Sequence, residues 1–341
     1  MEPSPFVAGL PKAELHVHLE GTLEPAMLLR LAKENDVDIG MTTEAEVWAA
    51  QDYPDPALPH FLDYHYNCVR ALARPADFYD LTLAFIETCR DNNVRHVEIS
   101  FGPMAHLVRG IPFSDQFEPM EQARQDGQRD FGVSVEWIMC IDREHTPQEA
   151  EAMLDDARPY RDAIVGLGLA SYEKDNPPVK FLDAYRRAKS EGYRLTAHCD
   201  CDQDNSVTHI WQCIEELGVE RIDHGLHVLD DPRLTEQVID SGLALTMCPT
   251  WRPSDPEPRR LGPIKQMLDR GINVSINTDD PSEFASRHMN HMSSEVQRVG
   301  RFSNAEMVDL MGNAFNSAWI SPEARTDHLA ELEGYAAHHL D

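Results

Sequence analysis

Two histidines separated by one residue lie near the N-terminus, in the apolar segment AELHVHLEG (13–21). If this segment is a β-strand, the alternation of its side chains places His16 and His18 on the same face. Neutral imidazole is a common metal ligand, so the pair predicts part of a metal site. A hydrogen-bonded histidine pair without a metal would give the same pattern, and the motif alone leaves both interpretations open.

Two later segments end in residues suited to the same chemistry. His198 lies at the end of YRLTAHCD (193–200), and Asp279 and Asp280 lie near the end of INVSINTDDP (272–281). Together with the first pair they offer three imidazoles and one carboxylate, a set suited to Zn²⁺ with an open position for water. Bound zinc lowers the pKa of such a water to near 7. An Asp pair before Pro is also typical of a turn or helix cap, an interpretation that the other three ligands weaken.

His224 belongs to a further polar segment, VERIDHGLHV (219–228). From a strand end that faces a metal, its imidazole would orient the attacking water and accept its proton as a general base. For a histidine taken alone, a structural role would be the better prediction. Because other predicted strand ends also carry residues suited to this chemistry, the catalytic interpretation is favoured for His224.

These side chains need a regular framework to bring them together. Eight short apolar segments rich in β-branched residues recur along the chain, and stretches with helical periodicity separate most of them. They are residues 13–21, 94–103, 133–142, 163–171, 193–200, 219–228, 243–250 and 272–281. Eight such units predict a (β/α)₈ TIM barrel, in which residues at the C-terminal strand ends do the chemistry. Strand eight of a closed barrel lies beside strand one, which brings Asp279 to His16 and His18.

The domain organisation is predicted to be a single metal-dependent hydrolase barrel over residues 1–341. The interval 22–93 is too long for one crossover and carries helical stretches, so it predicts a helical insertion over the barrel mouth. Residues 302–341 are predicted to form closing C-terminal helices. Length alone would suggest two domains, but no repeat and no linker rich in Pro or Ser marks a second one.

Composition excludes several classes of protein. Fifty-nine acidic residues against thirty basic ones give a net charge of −29, which disfavours nucleic-acid and anionic membrane partners. The seven scattered cysteines favour a reducing compartment. No run approaches the ~18 apolar residues of a membrane span and no signal peptide is recognisable, so we expect a cytoplasmic protein. The oligomeric state is not indicated by the sequence.

The motifs HVHLEG, RIDHG and NTDDP together resemble those of the adenosine/adenine deaminase branch of the amidohydrolase superfamily. PKAELHVHLEGTLEP is the strongest single match, and the similarity in motif order extends from about residue 8 to 320. The resemblance implies that His224 positions the attacking water and that Asp280 accepts a hydrogen bond from a purine ring nitrogen. It implies one zinc ion per chain, bound by His16, His18, His198 and Asp279.

Three positions look more like the bacterial adenine deaminases than the adenosine deaminases. Glu20 occupies the position of an Asp that nucleoside enzymes usually associate with the ribose. Asp223 and Ser171 occupy positions where those enzymes usually carry Gly. Because the longer Glu20 side chain would crowd a ribose, the resemblance favours a free purine base, with Glu20 and Ser171 among its binding residues.

The segment after the fifth strand departs from the family pattern. The family motif His-Ala-Gly-Glu supplies a Glu that is expected to protonate the purine ring nitrogen, whereas this chain reads HCDCD from His198. In strict register Cys201 replaces that Glu, and a thiol is a poor proton donor. We expect Asp202, or failing it Asp200, to supply the carboxyl group. The run CPTWRP after strand seven also differs from the family, which leaves the shape of the pocket open.

Three functions are compatible with these features. The leading hypothesis is zinc-dependent hydrolytic deamination of an aminopurine base, most directly of adenine to hypoxanthine and ammonia. The second is metal-dependent hydrolysis of another heterocyclic C–N bond, in a substituted aminopurine, adenosine or a pterin-like substrate. The third is a non-catalytic barrel that binds purines without turnover.

Overall fold

The computed structural model describes residues 2–52, 58–199, 204–251 and 260–340. Eight parallel strands follow one another around a barrel in their order along the chain. They are β1 (Lys12–His18), β2 (Val94–Phe101), β3 (Ser134–Asp142), β4 (Ile164–Ala170), β5 (Arg194–Cys199), β6 (Arg221–His224), β7 (Ala244–Met247) and β8 (Val274–Ile276). The predicted (β/α)₈ TIM barrel is confirmed, and each strand lies within or overlaps its predicted segment.

The barrel closes between β8 and β1 through the residues that follow β8. Val17 forms a parallel bridge with Asp279. The Asp279 N–H donates to the His16 carbonyl at 3.1 Å, and the His18 N–H donates to the Asp279 carbonyl at 2.9 Å. These bonds set Asp279 directly beside the two histidines at the C-terminal end of β1.

Helices surround the barrel, and several begin and end at the residues that their sequences favour. Thr43, Thr146 and Ser303 each begin a helix with a capping box. Gly218 and Gly271, which follow two predicted helices, have the positive φ that commonly ends a helix. In the described residues the α-helices are α1 (Pro5–Gly9), α2 (Pro25–Glu34), α3 (Glu44–Gln51), α4 (Leu58–Val69), α5 (Pro75–Asp91), α6 (Met104–Leu107), α7 (Phe113–Phe131), α8 (Pro147–Ala157), α9 (Leu182–Ser190), α10 (Ser206–Gln212), α11 (Pro232–Ser241), α12 (Leu261–Asp269), α13 (Met289–Val299), α14 (Asn304–Ser317) and α15 (Pro322–His339).

The interval between β1 and β2 contains α2 to α5. Phe61 on α4 stacks on Phe284, with ring centroids 5.5 Å apart, and the Gln51 side chain donates to the Ser282 carbonyl at 2.8 Å. These contacts place α3 and α4 against the segment after β8, at the C-terminal end of the barrel. Helices α14 and α15 follow residue 302. The organisation of residues 1–341 as one domain stays a prediction.

The cysteines in the described part of the chain are free and buried. Cys199 contacts Cys213, in the π-helical turn Cys213–Leu217 that follows α10. Its thiol therefore points to the helices outside the barrel rather than to the barrel axis, as strand alternation predicts. None of the described helices combines the length and the apolar character needed to cross a membrane.

Candidate active site at the C-terminal ends of the strands

Three histidines and one aspartate converge at the mouth of the barrel. The Nε2 atoms of His16 and His18 each lie 3.0 Å from Nε2 of His198. Asp279 Oδ1 lies 3.1 Å from His16 Nε2 and 3.5 Å from His18 Nε2. The four atoms lie within 4.8 Å of one another. Since neutral imidazole nitrogens facing one another cannot all be paired by hydrogen bonds, a cation that accepts a lone pair from each fits the site.

The opposite ring nitrogens of two of these histidines are held by β6 and β7. His16 Nδ1 lies 3.1 Å from the Thr246 carbonyl oxygen, which can only accept a hydrogen bond. Nδ1 therefore carries a proton, so the neutral ring of His16 presents Nε2 as the lone-pair donor to the cluster. His198 Nδ1 lies 3.4 Å from Asp223 Oδ2, and the Thr246 hydroxyl donates to Asp223 Oδ1 at 2.8 Å. Such outer partners are typical of metal-binding histidines.

Burial lowers the pKa of His16, but Asp279 outweighs it and raises that pKa above its ordinary value, whereas His18 and Asp279 are shifted towards the forms that bind metals. Burial, with a further contribution from His198, lowers the pKa of His18 to about 3. Burial opposes ionisation of Asp279, but the facing imidazoles, His16 first, hold its pKa well below the usual range. A neutral imidazole and an ionised carboxylate are the metal-ligating forms of these side chains. The four predicted ligands are therefore together in a donor set that fits zinc.

His224 lies at the edge of this cluster, at the end of β6. Its Nε2 lies 3.8 Å from Asp279 Oδ2, and its ring centroid lies 4.7 Å from that of His16. Its backbone is in the left-handed region, with φ of 69°, which turns the chain at the end of the strand. Burial lowers the pKa of His224 well below its ordinary value, so the imidazole is neutral.

Asp280 and Glu20 line the mouth next to the cluster. A Cβ at Gly21 would lie 2.0 Å from Asp280 Oδ1, so this position of the HLEG motif must be a glycine for Asp280 to pack there. Burial and the neighbouring carboxylate of Asp279 raise the pKa of Asp280 well above its ordinary value. Glu20 Oε1 accepts a hydrogen bond from the Gly102 N–H at 3.1 Å and lies 3.4 Å from His106 Nε2.

Ser171 follows β4, farther from the histidines. Its φ of 73° is a conformation that glycine adopts more easily. The Ser171 hydroxyl donates to Glu144 Oε1 at 2.7 Å, and the Tyr66 hydroxyl lies 2.7 Å from Ser171 Oγ. The structure thus links Ser171 to α4 and to the loop after β3.

Three groups at this end of the barrel, the half-buried His65 and the buried His106 and Asp142, have no role predicted from the sequence. His65 on α4 lies 3.0 Å from Glu283 Oε1 and 3.9 Å from Asp280 Oδ1. Burial opposes protonation of His65, but Glu283 and Asp280 outweigh it and raise its pKa to about 10. His106 contacts Glu20, and Asp142 ends β3. The expectation that polar residues at the C-terminal strand ends do the chemistry would have identified Asp142. No sequence signal marks His65 or His106.

The predicted proton donors Asp202 and Asp200 lie outside the described residues, as does Cys201 between them. The same holds for residues 252–259, after the start of the CPTWRP run. The assignment of the proton donor therefore stays a prediction.

Residues 11–334 match the protein family model described as adenosine deaminase. The chain belongs to this family. It is 38% identical to an adenine deaminase of Chlorobium luteolum, covering 97% of this chain and 96% of the relative. An uncharacterized deaminase of Schizosaccharomyces pombe is also 38% identical, over 97% of both chains. The predicted resemblance is confirmed, and this member of the family is a hydrolytic deaminase.

Two solved structures share the fold closely. An adenine deaminase from Arthrobacter aurescens has a TM-score of 0.88 and 30% identity, covering 96% of this chain and 99% of that one. An amidohydrolase from Burkholderia ambifaria with bound Zn has a TM-score of 0.86 and 26% identity, covering 99% of this chain and 96% of that one. Both likenesses support the barrel fold.

Proposed function

We propose that this protein is a zinc-dependent hydrolytic deaminase of an aminopurine base, which converts adenine to hypoxanthine and ammonia. The observation that carries the proposal is the convergence of three imidazoles and one carboxylate beside a neutral His224. The names of the Chlorobium and Arthrobacter relatives support adenine as the substrate. The partner is thus a small purine base.

Zinc is the metal that the donor set favours, because three imidazole nitrogens and one carboxylate are typical zinc ligands. His16, His18, His198 and Asp279 would hold it. When bound, it supplies Lewis-acid activation of a water molecule at neutral pH. The zinc in the Burkholderia relative supports this choice.

The remaining groups each contribute to a different step of the deamination. His224 accepts a proton from the water as it adds to the ring carbon that bears the amine. Asp280 hydrogen-bonds to a purine ring nitrogen and so orients the ring against the cluster. Addition of water places negative charge on the adjacent ring nitrogen, and the carboxyl group of Asp202 or Asp200 protonates it. The amine then takes the proton held by His224 and leaves as ammonia as the C–N bond breaks. The added hydroxyl returns its proton to the carboxylate and becomes the carbonyl of hypoxanthine.

The preference for a free base follows from the way Glu20 is held. Its carboxylate is 6% exposed and is bound by the Gly102 N–H and by His106. Burial works against ionisation of Glu20, but His106 and that N–H outweigh it and lower its pKa. Moving the side chain aside for a ribose would break these contacts, so the protein favours adenine over adenosine.

Two measurements test the proposal. Elemental analysis should find one zinc ion per chain, and Asp279→Ala should lose the metal and the activity, whereas His338→Ala on exposed α15 should keep both. Ammonia release should be faster with adenine than with adenosine. A protein without stoichiometric metal would contradict the zinc site, and preferred turnover of a pterin or another amino heterocycle would contradict adenine as the substrate.

A further inference from the structure

A buried carboxyl group outside the metal cluster has the features of a ligand contact. Asp142 is the last residue of β3, so its side chain belongs to the same end of the barrel as the cluster. It is 6% exposed, and its Oδ2 has no hydrogen-bond partner in the part of the chain that the structure describes. A buried polar atom without a partner costs free energy, which a bound ligand could recover.

Gly102 places Asp142 beside Glu20. The Gly102 N–H donates to Glu20 Oε1 at 3.1 Å, and a Cβ on Gly102 would lie 3.4 Å from Asp142 Oδ1. Both carboxyl groups thus flank the residue that follows β2. The metal cluster is built on β1, β5 and β8, whereas β2 and β3 lie on the arc between β1 and β5. Asp142 and Glu20 therefore lie together at the mouth of the barrel, on the side of β2 and β3.

Open space adjoins Asp142. A cavity of about 320 Å³ has Asp142, Tyr66, Ala105, Arg109 and Glu144 in its wall. Burial, with the nearby charges of Glu144 and Glu20, raises the pKa of Asp142 to about 8. At neutral pH the group therefore keeps its proton and can either donate or accept a hydrogen bond.

We propose that Asp142 is a specificity-determining residue that hydrogen-bonds to the N3/N9 edge of the purine, the edge opposite the reacting amine. The inference rests on the proposed function, since it takes the amine-bearing carbon to face the cluster. A purine in that orientation directs N3 and N9 towards the side of the mouth where Asp142 and Glu20 lie. Ribose on N9 would occupy this space and remove the hydrogen-bonding site, so Asp142 strengthens the preference for a free base.

The test compares three substrates in three variants. Adenine offers both edge nitrogens, 9-methyladenine blocks N9, and 3-deazaadenine lacks N3. Asp142→Ala should lower kcat/KM for adenine by about 10- to 100-fold, mostly through KM, because a buried hydrogen bond is lost. For at least one of the two analogues, Asp142→Ala should lower kcat/KM much less. The ratio of kcat/KM for adenine to kcat/KM for that analogue should therefore fall. Asp142→Asn, which keeps a hydrogen-bonding group of the same size, should retain more of the preference.

Glu136→Gln is the matched control. Glu136 is a partly buried carboxyl on the same strand, nearer its other end, and its pKa is likewise raised by burial. The Glu136→Gln variant should keep the parental preference for adenine over the two analogues. Equal losses on all three substrates in Asp142→Ala, or no loss, would overturn the role of Asp142 and leave the proposed function standing. Failure of the unchanged protein to bind or convert any purine would overturn both.

Discussion

Asp223 Oδ2 lies 3.4 Å from Nδ1 of His198, on the side of the ring that faces away from the metal cluster. Its other oxygen accepts a hydrogen bond from Thr246 Oγ1, which lies 3.2 Å from Nδ1 of His16. One carboxylate on β6 is thereby connected to two of the three histidines. In the sequence this residue only indicated a free base as substrate, whereas in the structure its contacts are with the metal-site framework.

Asp223→Asn is expected to weaken zinc binding by about 10- to 100-fold, because the amide holds the His198 ring less firmly and makes it a weaker ligand. Competition with a chromogenic chelator measures this affinity directly. Asp231→Asn, at the N-cap of α11, should leave the zinc affinity unchanged. If Asp223→Asn lost activity at full zinc affinity, the carboxylate would act on the substrate and not through His198.

The stack of Phe61 on Phe284 predicts a role for the helical insertion in substrate binding. Phe284 follows Asp280 by four residues, so the stack fastens α4 to the segment that carries the proposed purine contact. Phe61→Ala should raise KM for adenine by about 2- to 12-fold, since an aromatic pair contributes about 0.5–1.5 kcal/mol. The cluster itself is untouched, so kcat should change less.

Asp63→Ala, at an exposed position of the same helix, is the control for that variant and should keep the parental KM. Steady-state kinetics on the Phe61→Ala and Asp63→Ala variants measures KM for adenine in each. A KM that stays the same in Phe61→Ala would show that α4 does not restrain this segment during binding.

Glu98 and Arg221 form a buried ion pair away from the chemistry, with Arg221 Nη2 2.5 Å from Glu98 Oε2. Burial would raise the pKa of Glu98, but Arg221 outweighs it and lowers the pKa from 4.5 to about 2. A depressed carboxyl pKa stabilises the folded state above the unfolded value, by about 3 kcal/mol here. This contribution should disappear as the pH falls from about 4.5 towards 2.

Glu98→Gln should lower the free energy of unfolding by about 3–5 kcal/mol at pH 7, because Arg221 is left buried without its counter-charge. Urea unfolding measures the loss. The double variant Glu98→Gln/Arg221→Met should recover part of it, since no unpaired charge remains. A double variant as unstable as the sum of both single changes would mean that the pair contributes no coupling energy.

The parts of the site that the sequence predicts are those carried by strands. Period-2 alternation and the barrel order are enough to bring His16, His18, His198 and Asp279 together, because strand pairing determines their positions. His65 could not be found in this way, since its place beside Glu283 depends on how α4 packs over the mouth. Asp142 also lies at a strand end, but no recognisable motif surrounds it in the sequence. Only its burial and its unpartnered oxygen in the structure identify it.

The HCDCD segment gives the sharpest test of the chemistry. A positioned acid contributes about 10² to 10⁴ in rate, so Asp202→Asn should lower kcat for adenine by a factor in that range if its carboxyl protonates the ring nitrogen. Asp200→Asn should do so instead if Asp200 is the donor, and Cys201→Ser should be nearly silent. Single-turnover rates on metal-loaded protein separate this loss from slow product release. Near-parental rates in both Asp variants with loss in Cys201→Ser would assign the role to the thiol, and three silent variants would mean that the ring nitrogen receives its proton from outside this loop.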